Sequence, residues 1–223
     1  MQFIFMLTHN DRTVENVLDV YQEIRHTPLQ LLGFKDVGVT LDTMRILADL
    51  MHEDDRSVFL EVVSVSRDDE LASIEAALDA GVDYVLGGTH HNDALAIIGD
   101  ARVRYFPFPG TIVGHPSELQ GSVEEIAAQA KELTARPGVD GLDLLAYRHR
   151  TVDPAELTRA VVASSSGPVI AAGSVDRAER IRALRDAGAW AFTIGGAIFD
   201  GRLPGAPSLA AQIEWALEVA AQP

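Results

Sequence analysis

The sequence contains no cysteine. That excludes disulfides, thiolate-bound zinc, iron–sulfur clusters and a thiol nucleophile together, so any covalent chemistry has to use nitrogen or oxygen. Lysine is almost missing: only Lys35 and Lys131 occur, and arginine supplies the other sixteen of the eighteen cations. Against them stand 33 Asp and Glu, a formal net charge of −15 at pH 7. A chain so acidic repels phosphate backbones and anionic lipid, which argues against nucleic acid and membrane surfaces as partners. No run approaches the ~20 apolar residues of a membrane helix. The start, Met1-Gln2-Phe3-Ile4-Phe5, has neither the basic leader nor the small-residue cleavage site of a signal peptide, so a cytoplasmic protein is expected.

What is present suffices for one sizeable core. Of 223 residues, 47% are apolar, which excludes a disordered chain. No linker, low-complexity tract or composition shift divides the sequence, so residues 1–223 read as one domain. Short runs rich in Val, Ile, Leu and aromatics recur at 3–7, 31–35, 58–63, 84–86, 104–106, 142–146, 169–172 and 191–194. They lack polar alternation, as strands buried on both faces do. Helical spacing of apolar residues fills 13–24, 41–51, 68–78, 122–134, 154–163 and 177–187, with a short helix near 94–99. Eight strand–helix units in this length predict an α/β fold, a single-domain (βα)8 TIM barrel. A doubly wound sheet would carry a glycine-rich loop after its first strand, and Thr8-His9-Asn10-Asp11-Arg12 has no glycine. A weak repeat links 71–88 to 181–196: each has a helix, Asp-Ala-Gly, a strand and then Gly-Gly, a pattern that suggests a duplicated half-barrel.

A parallel barrel works at the C-terminal ends of its strands. Five of the seven histidines (9, 90, 91, 115 and 149) fall on that predicted face. The clearest signal is the last pair of strand ends. Pro168-Val169-Ile170-Ala171-Ala172 runs into Gly173-Ser174, and Phe192-Thr193-Ile194 runs into Gly195-Gly196-Ala197. Glycines let a phosphate approach backbone N–H groups, and barrels often seat phosphate between these two loops. Gly87, Gly88 and Thr89, with Arg148, form a candidate second anion site.

Residues 169–199 resemble the closing segment of the ribulose-phosphate-binding barrel superfamily, in which a Val-Ile-Ala-x-Gly-Gly strand is followed by a strand ending in Gly-Ser/Gly-Ala. That group includes the histidine-biosynthesis isomerase and cyclase, N-acetylmannosamine-6-phosphate epimerase and relatives of orotidine-phosphate decarboxylase. The resemblance implies that Gly173, Ser174, Gly195 and Gly196 hold a phosphate. Elsewhere the likeness is architectural. The histidine-biosynthesis barrels use an Asp after strands one and five; here Asp11 lies beyond strand one, and Phe106-Pro107-Phe108-Pro109 has no acid. The Asp-x-Lys-x-x-Asp spacing of the decarboxylases is absent around Lys35, and Ala172 stands where the epimerase has Glu.

The reacting groups must come from the strand ends. Lys35 sits in an apolar strand, an unusual place for a charge, and Asp36 next to it points to the opposite face. An inward Lys35 is a candidate base or Schiff-base nucleophile, with Glu61 on the adjacent strand as its partner and Asp143 opposite. His9 and His90 are auxiliary acid–base candidates. The expected activity is that of an isomerase, epimerase or aldolase-like lyase on a small phosphorylated sugar or sugar acid, without a cofactor or metal. The alternatives are an FMN-binding oxidoreductase that seats the flavin phosphate in the same loops, a divalent-metal site around His9, Glu61 and His90, and a non-catalytic phosphometabolite sensor. The sequence leaves a homodimer open.

Overall fold

Eight apolar segments form parallel strands around one axis: β1 (Gln2–Met6), β2 (Leu31–Lys35), β3 (Ser57–Val62), β4 (Tyr84–Gly87), β5 (Arg104–Phe106), β6 (Leu142–Leu144), β7 (Val169–Ala171) and β8 (Ala191–Ile194). The computed structural model describes residues 1–204 and 208–222. The hydrogen-bonded order is β6-β7-β8-β1-β2-β3-β4-β5, all parallel, without the reversal of order of a doubly wound sheet. The ends of that order meet. Asp140 N–H donates to the Tyr105 carbonyl at 2.9 Å, and Asp143 N–H donates to the Pro107 carbonyl at 3.1 Å. These two backbone bonds and the Tyr105 N–H to Asp140 Oδ2 bond at 2.9 Å, rather than a ladder, thus close the ring between β5 and β6, and the fold is a TIM barrel. Gly141 lets the seam close, because a Cβ there would collide with the Phe106 ring and the Pro168 carbonyl oxygen.

The pleat divides the side chains. Ile4, Met6, Phe59, Leu86, Phe106, Ile170 and Ala191 fill the barrel interior. Tyr84 stacks on Phe59 with centroids 4.1 Å apart, and Trp190 lies 6.4 Å from Tyr84, so aromatic rings plug the N-terminal end. Burying such a ring contributes roughly 1.5–3 kcal/mol. The alternate residues, among them Phe3, Phe5, Leu32, Phe34, Val58 and Leu60, pack outward against the helices.

The helices are α1 (Val17–Ile24), α2 (Leu41–Glu53), α3 (Arg67–Ala80), α4 (His91–Ile98), α5 (Val123–Thr134), α6 (Pro154–Ser164), α7 (Ala178–Asp186), the one-turn α8 (Gly196–Phe199) and α9 (Leu209–Ala221). Their starts follow from capping chemistry. Thr40, Ser66, Asp153 and Ser208 each accept an N–H from the first turn, and Ser122 with Glu125 forms a reciprocal capping box. Among the described residues, no helix is long and apolar enough to cross a membrane.

Three departures from the sequence expectation matter for the site. Strand six ends at Leu144 and passes into a 3-10 turn, Ala146–Arg148, instead of continuing to residue 146. The helix expected from residue 13 starts at Val17, because Thr8–His9 and Arg12–Thr13 pair antiparallel. A second hairpin, Thr111–Val113 with Glu118–Gln120, follows β5. The terminal helix α9 was not resolved by periodicity.

Candidate active site

A cleft of about 440 Å³ opens at the C-terminal end of the barrel. Its floor is built by β2 and β3, whose register sets Lys35 beside Glu61. Both side chains face inward and are buried. Lys35 Nζ lies 3.4 Å from Glu61 Oε2. Asp36, the outward neighbour, is occupied elsewhere: it accepts the N–H groups of Val63 and Ser64 and the hydroxyls of Ser64 and Ser73.

The shortest contact of Lys35 is with Asp11, Nζ to Oδ1 at 2.5 Å. Asp11 reaches the floor through local backbone geometry. Thr8-His9 and Arg12-Thr13 form a tight hairpin whose two turn residues, Asn10 and Asp11, have φ of 50° and 62°. Left-handed φ at both turn positions marks a type I′ turn, and Asn and Asp tolerate that region better than other side chains. Folded back in this way, the loop drops the Asp11 carboxylate into the barrel mouth. Thr13 fixes the register of the hairpin on β2: its hydroxyl donates to the Lys35 carbonyl at 2.7 Å and accepts the Lys35 N–H at 2.9 Å.

Arg148 completes the cluster from the 3-10 turn after β6. Its Nη2 lies 2.7 Å from Asp11 Oδ1, and its Nη1 donates to the Ser117 carbonyl at 3.2 Å. Ser117 N–H donates to Asp11 Oδ2 at 3.3 Å, and His115 Nδ1 lies 3.7 Å from the same oxygen. The tip of the second hairpin therefore docks on Asp11. Burial alone would raise the Asp11 carboxyl, but the bond to Arg148 and the charges of Lys35 and Arg148 hold it well below the usual carboxylate range.

Asp143 behaves in the opposite way. It is fully buried on β6, and neither carboxylate oxygen has a hydrogen-bond partner. Desolvation, reinforced by the charge of Glu61, pushes its carboxyl far above the ordinary value. Asp143 is sealed beneath the cleft with its carboxyl shifted towards the protonated form, whereas Asp11, Lys35 and Glu61 line it.

The rim is formed by the two glycine-bearing loops. Gly173 and Ser174 both have left-handed φ, 79° and 55°. Gly195 lies against β1, where a Cβ would sit 2.5 Å from Thr8 Oγ1 and 2.8 Å from the Thr8 carbonyl oxygen, so a larger residue is excluded. Among the described residues, no protein acceptor takes the N–H groups of Ser174, Gly196 or Ala197. Two further cations flank this end. The Arg180 guanidinium lies 4.7 Å above the Tyr147 ring, pairs with Asp176 at 3.2 Å and donates to the Ser174 carbonyl. Arg202 pairs with Asp200 at 2.9 Å.

The structure thus brings together Lys35, Glu61 and Asp143 at the floor and Gly173, Ser174, Gly195 and Gly196 at the rim. It separates His90 from them and leaves His9 at the outer edge of the rim. His9 sits outside the cleft lining, beside Gly196, with its Nε2 2.8 Å from Asp200. His90 is at the start of α4 with its Nδ1 2.7 Å from Glu70. The expected second anion site is also corrected. The N–H groups of Thr89 and His90 both donate to Glu70 Oε1, at 2.9 and 2.8 Å, so Gly87, Gly88 and Thr89 wrap a carboxylate of the chain itself. Gly87 and Gly88 are left-handed, whereas Gly195 has φ −128°. The repeated Gly-Gly is alike in sequence and different in backbone. No three His, Asp or Glu among the described residues are grouped to hold a metal ion, so His9, Glu61 and His90 do not converge.

No protein-family model matches the chain, and no curated protein matches it. Solved structures do match over nearly its whole length. Orotidine 5'-phosphate decarboxylase from Pyrococcus horikoshii is 11% identical, with a TM-score of 0.69 and all of both chains covered. N-acetylmannosamine-6-phosphate 2-epimerase from Clostridium perfringens is 11% identical, with a TM-score of 0.64 over 97% of this chain and 90% of that one. N-(5'-phosphoribosyl)anthranilate isomerase from Pyrococcus furiosus is 14% identical, with a TM-score of 0.64 over 99% and 98%. The likeness of fold to these three thus spans the entire barrel and not residues 169–199 alone.

Proposed function

We propose that the protein is an enzyme that moves a proton on carbon next to a carbonyl of a small phosphorylated sugar, an isomerase or epimerase by class. The observation that carries this reading is the pairing, in one cleft, of a buried Lys35–Asp11–Glu61 cluster over a protonated Asp143 with a rim of unengaged backbone amides. The three solved structures of the same fold are named as a decarboxylase, an epimerase and an isomerase of phosphorylated compounds, which supports a phosphate at the rim.

The roles follow from the environments. The phosphate sits in the loops of Gly173, Ser174, Gly195 and Gly196, where N–H groups neutralise it without a basic surface. The carbonyl end then points to the floor. Glu61 takes the proton from the carbon, and the Lys35 ammonium donates to the oxygen on which negative charge develops. Returning the proton to the other face or the neighbouring carbon gives the epimer or isomer, so the enzyme ends each turnover as it began. Asp11 and Arg148 position Lys35. Asp143, whose carboxyl is pushed up by burial and by the charge of Glu61, lies sealed beneath the cleft and takes no direct part in the transfer. The 2.5 Å Lys35–Asp11 ion pair favours this route over a Schiff base, which requires a free amine.

Solvent exchange tests the proposal. The protein is incubated in D₂O with a panel of ketose and aldose phosphates, and proton NMR follows the C–H next to the carbonyl. Deuterium should enter at least one sugar phosphate with the wild type and not with Lys35→Ala. Binding of the whole panel without any exchange would defeat the reading.

A further inference from the structure

We infer that the substrate carries one anionic group, the phosphate, and presents a neutral carbonyl–hydroxyl end to the barrel floor; bisphosphates and phosphorylated sugar acids are not its substrates. This narrows the proposed function and rests on its premise that the rim seats a phosphate.

The inference comes from where the chain's own carboxylates lie. At the rim Arg180 and Arg202 are already paired with Asp176 and Asp200; away from it a second anion has two candidate seats, and each already holds a carboxylate. The first is the loop after β4. There Glu70, buried on α3, accepts the N–H groups of Thr89 and His90, and its other oxygen meets the Thr89 hydroxyl at 3.2 Å and His90 Nδ1 at 2.7 Å. The backbone even makes room for it: a Cβ at Gly88 would stand 2.7 Å from Glu70 Oε1. This is an anion nest built as a phosphate would need it, but filled from inside the fold. The loop residues and Glu70 also lie outside the cleft lining.

The second seat is the cation pair of the floor. Arg148 has one amino group on Asp11 and the other on the Ser117 carbonyl, and its stem packs so closely on Gly173 that a Cβ there would be 2.5 Å from Nε. It has no room to swing towards a ligand without releasing Asp11. Lys35 is held at 2.5 Å by the same carboxylate and faces Glu61. Two cations and two carboxylates leave the floor neutral, with Asp143 protonated beneath them. An incoming substrate carboxylate would add a net negative charge to a buried cluster, or displace Asp11 from both of its partners, and either is strongly unfavourable. A neutral carbonyl and hydroxyl meet no such barrier and can accept from Lys35 or donate to Glu61. At the rim, by contrast, amides without acceptors remain for one phosphate.

Calorimetric titration of the wild-type protein separates this inference from its premise. The probes are inorganic phosphate, D-ribulose 5-phosphate, D-ribulose 1,5-bisphosphate and 6-phosphogluconate. The expected result is binding of phosphate and of the monophosphate. Relative to the monophosphate, the bisphosphate and the sugar acid should each bind at least tenfold more weakly. A bisphosphate or a sugar acid less than tenfold weaker than the monophosphate overturns the inference while the rim reading stands. If none of the four binds, the rim reading itself fails, and the inference with it.

Discussion

Replacing Asp143 by Asn should make the protein more stable as pH rises, although it removes a group from under the reacting floor. Asp143 is fully buried, and both oxygens lack partners. Burial, then the charge of Glu61, raises its carboxyl far above the ordinary value. In the unfolded chain it titrates near 3.9. Between that pH and the raised folded value, the native state therefore holds one proton more than the unfolded state. Stability falls with rising pH through this window, by about 1.4 kcal/mol per pH unit for one group. Asn cannot titrate, so the variant escapes this loss. The wild-type minus variant difference should fall along that slope from about pH 4 upwards, and be flat below it. Urea unfolding of both proteins, followed by tryptophan fluorescence at half-unit pH steps, measures the difference with other titrations cancelled. A difference independent of pH would show Asp143 ionised in the fold and refute its assignment as a neutral acid.

The other perturbations separate the floor from its surroundings. Asp11→Asn leaves Arg148 and Lys35 short of their shared carboxylate and should cost about 3–5 kcal/mol, the usual penalty for breaking a buried pair. Because the Asp11 carboxyl is depressed in the fold, its stabilisation is present above about pH 4. The wild-type advantage over Asp11→Asn in urea unfolding should therefore shrink as pH falls below that point. Gly195→Ala places a Cβ against Thr8 Oγ1 and the Thr8 carbonyl, and should cost roughly 1–3 kcal/mol as overpacking; a melting temperature equal to that of the wild type would contradict the close approach. His90→Ala loses the bond to Glu70, worth roughly 1–3 kcal/mol. Its turnover per folded molecule should stay within about twofold of wild type, since it orders a loop outside the cleft and does not touch the ligand.

The barrel was legible because its signals are local and repeated. Eight apolar runs without alternation, too short for helices, read as strands covered on both sides, and residues such as Ser122 with Glu125 mark helix starts in the sequence itself. The inward aim of Lys35 and Glu61 was legible for the same reason, since a charge within a buried strand must face the axis or a partner. The position of Asp11 was not, because it depends on two consecutive left-handed residues, and Asn10-Asp11 without glycine does not announce a two-residue turn. The one available hint was the symmetry of Thr8 and Thr13 about that pair. His90 misled for a different reason. Its place beside two glycines looked like a ligand loop, while the carboxylate that fills the loop, Glu70, comes from a helix twenty residues earlier. Sequence spacing shows which loops have the shape to hold an anion; only the packed fold shows whether the chain supplies that anion itself.

The central claim is that the rim amides hold a phosphate, and amide NMR tests it most directly. In a ¹H–¹⁵N spectrum of the wild-type protein titrated with inorganic phosphate, the signals of Ser174, Gly195, Gly196 and Ala197 should shift together along one saturation curve, with those of Thr89 and His90 unmoved. Shifts confined to other residues, or none at saturating phosphate, would contradict the account.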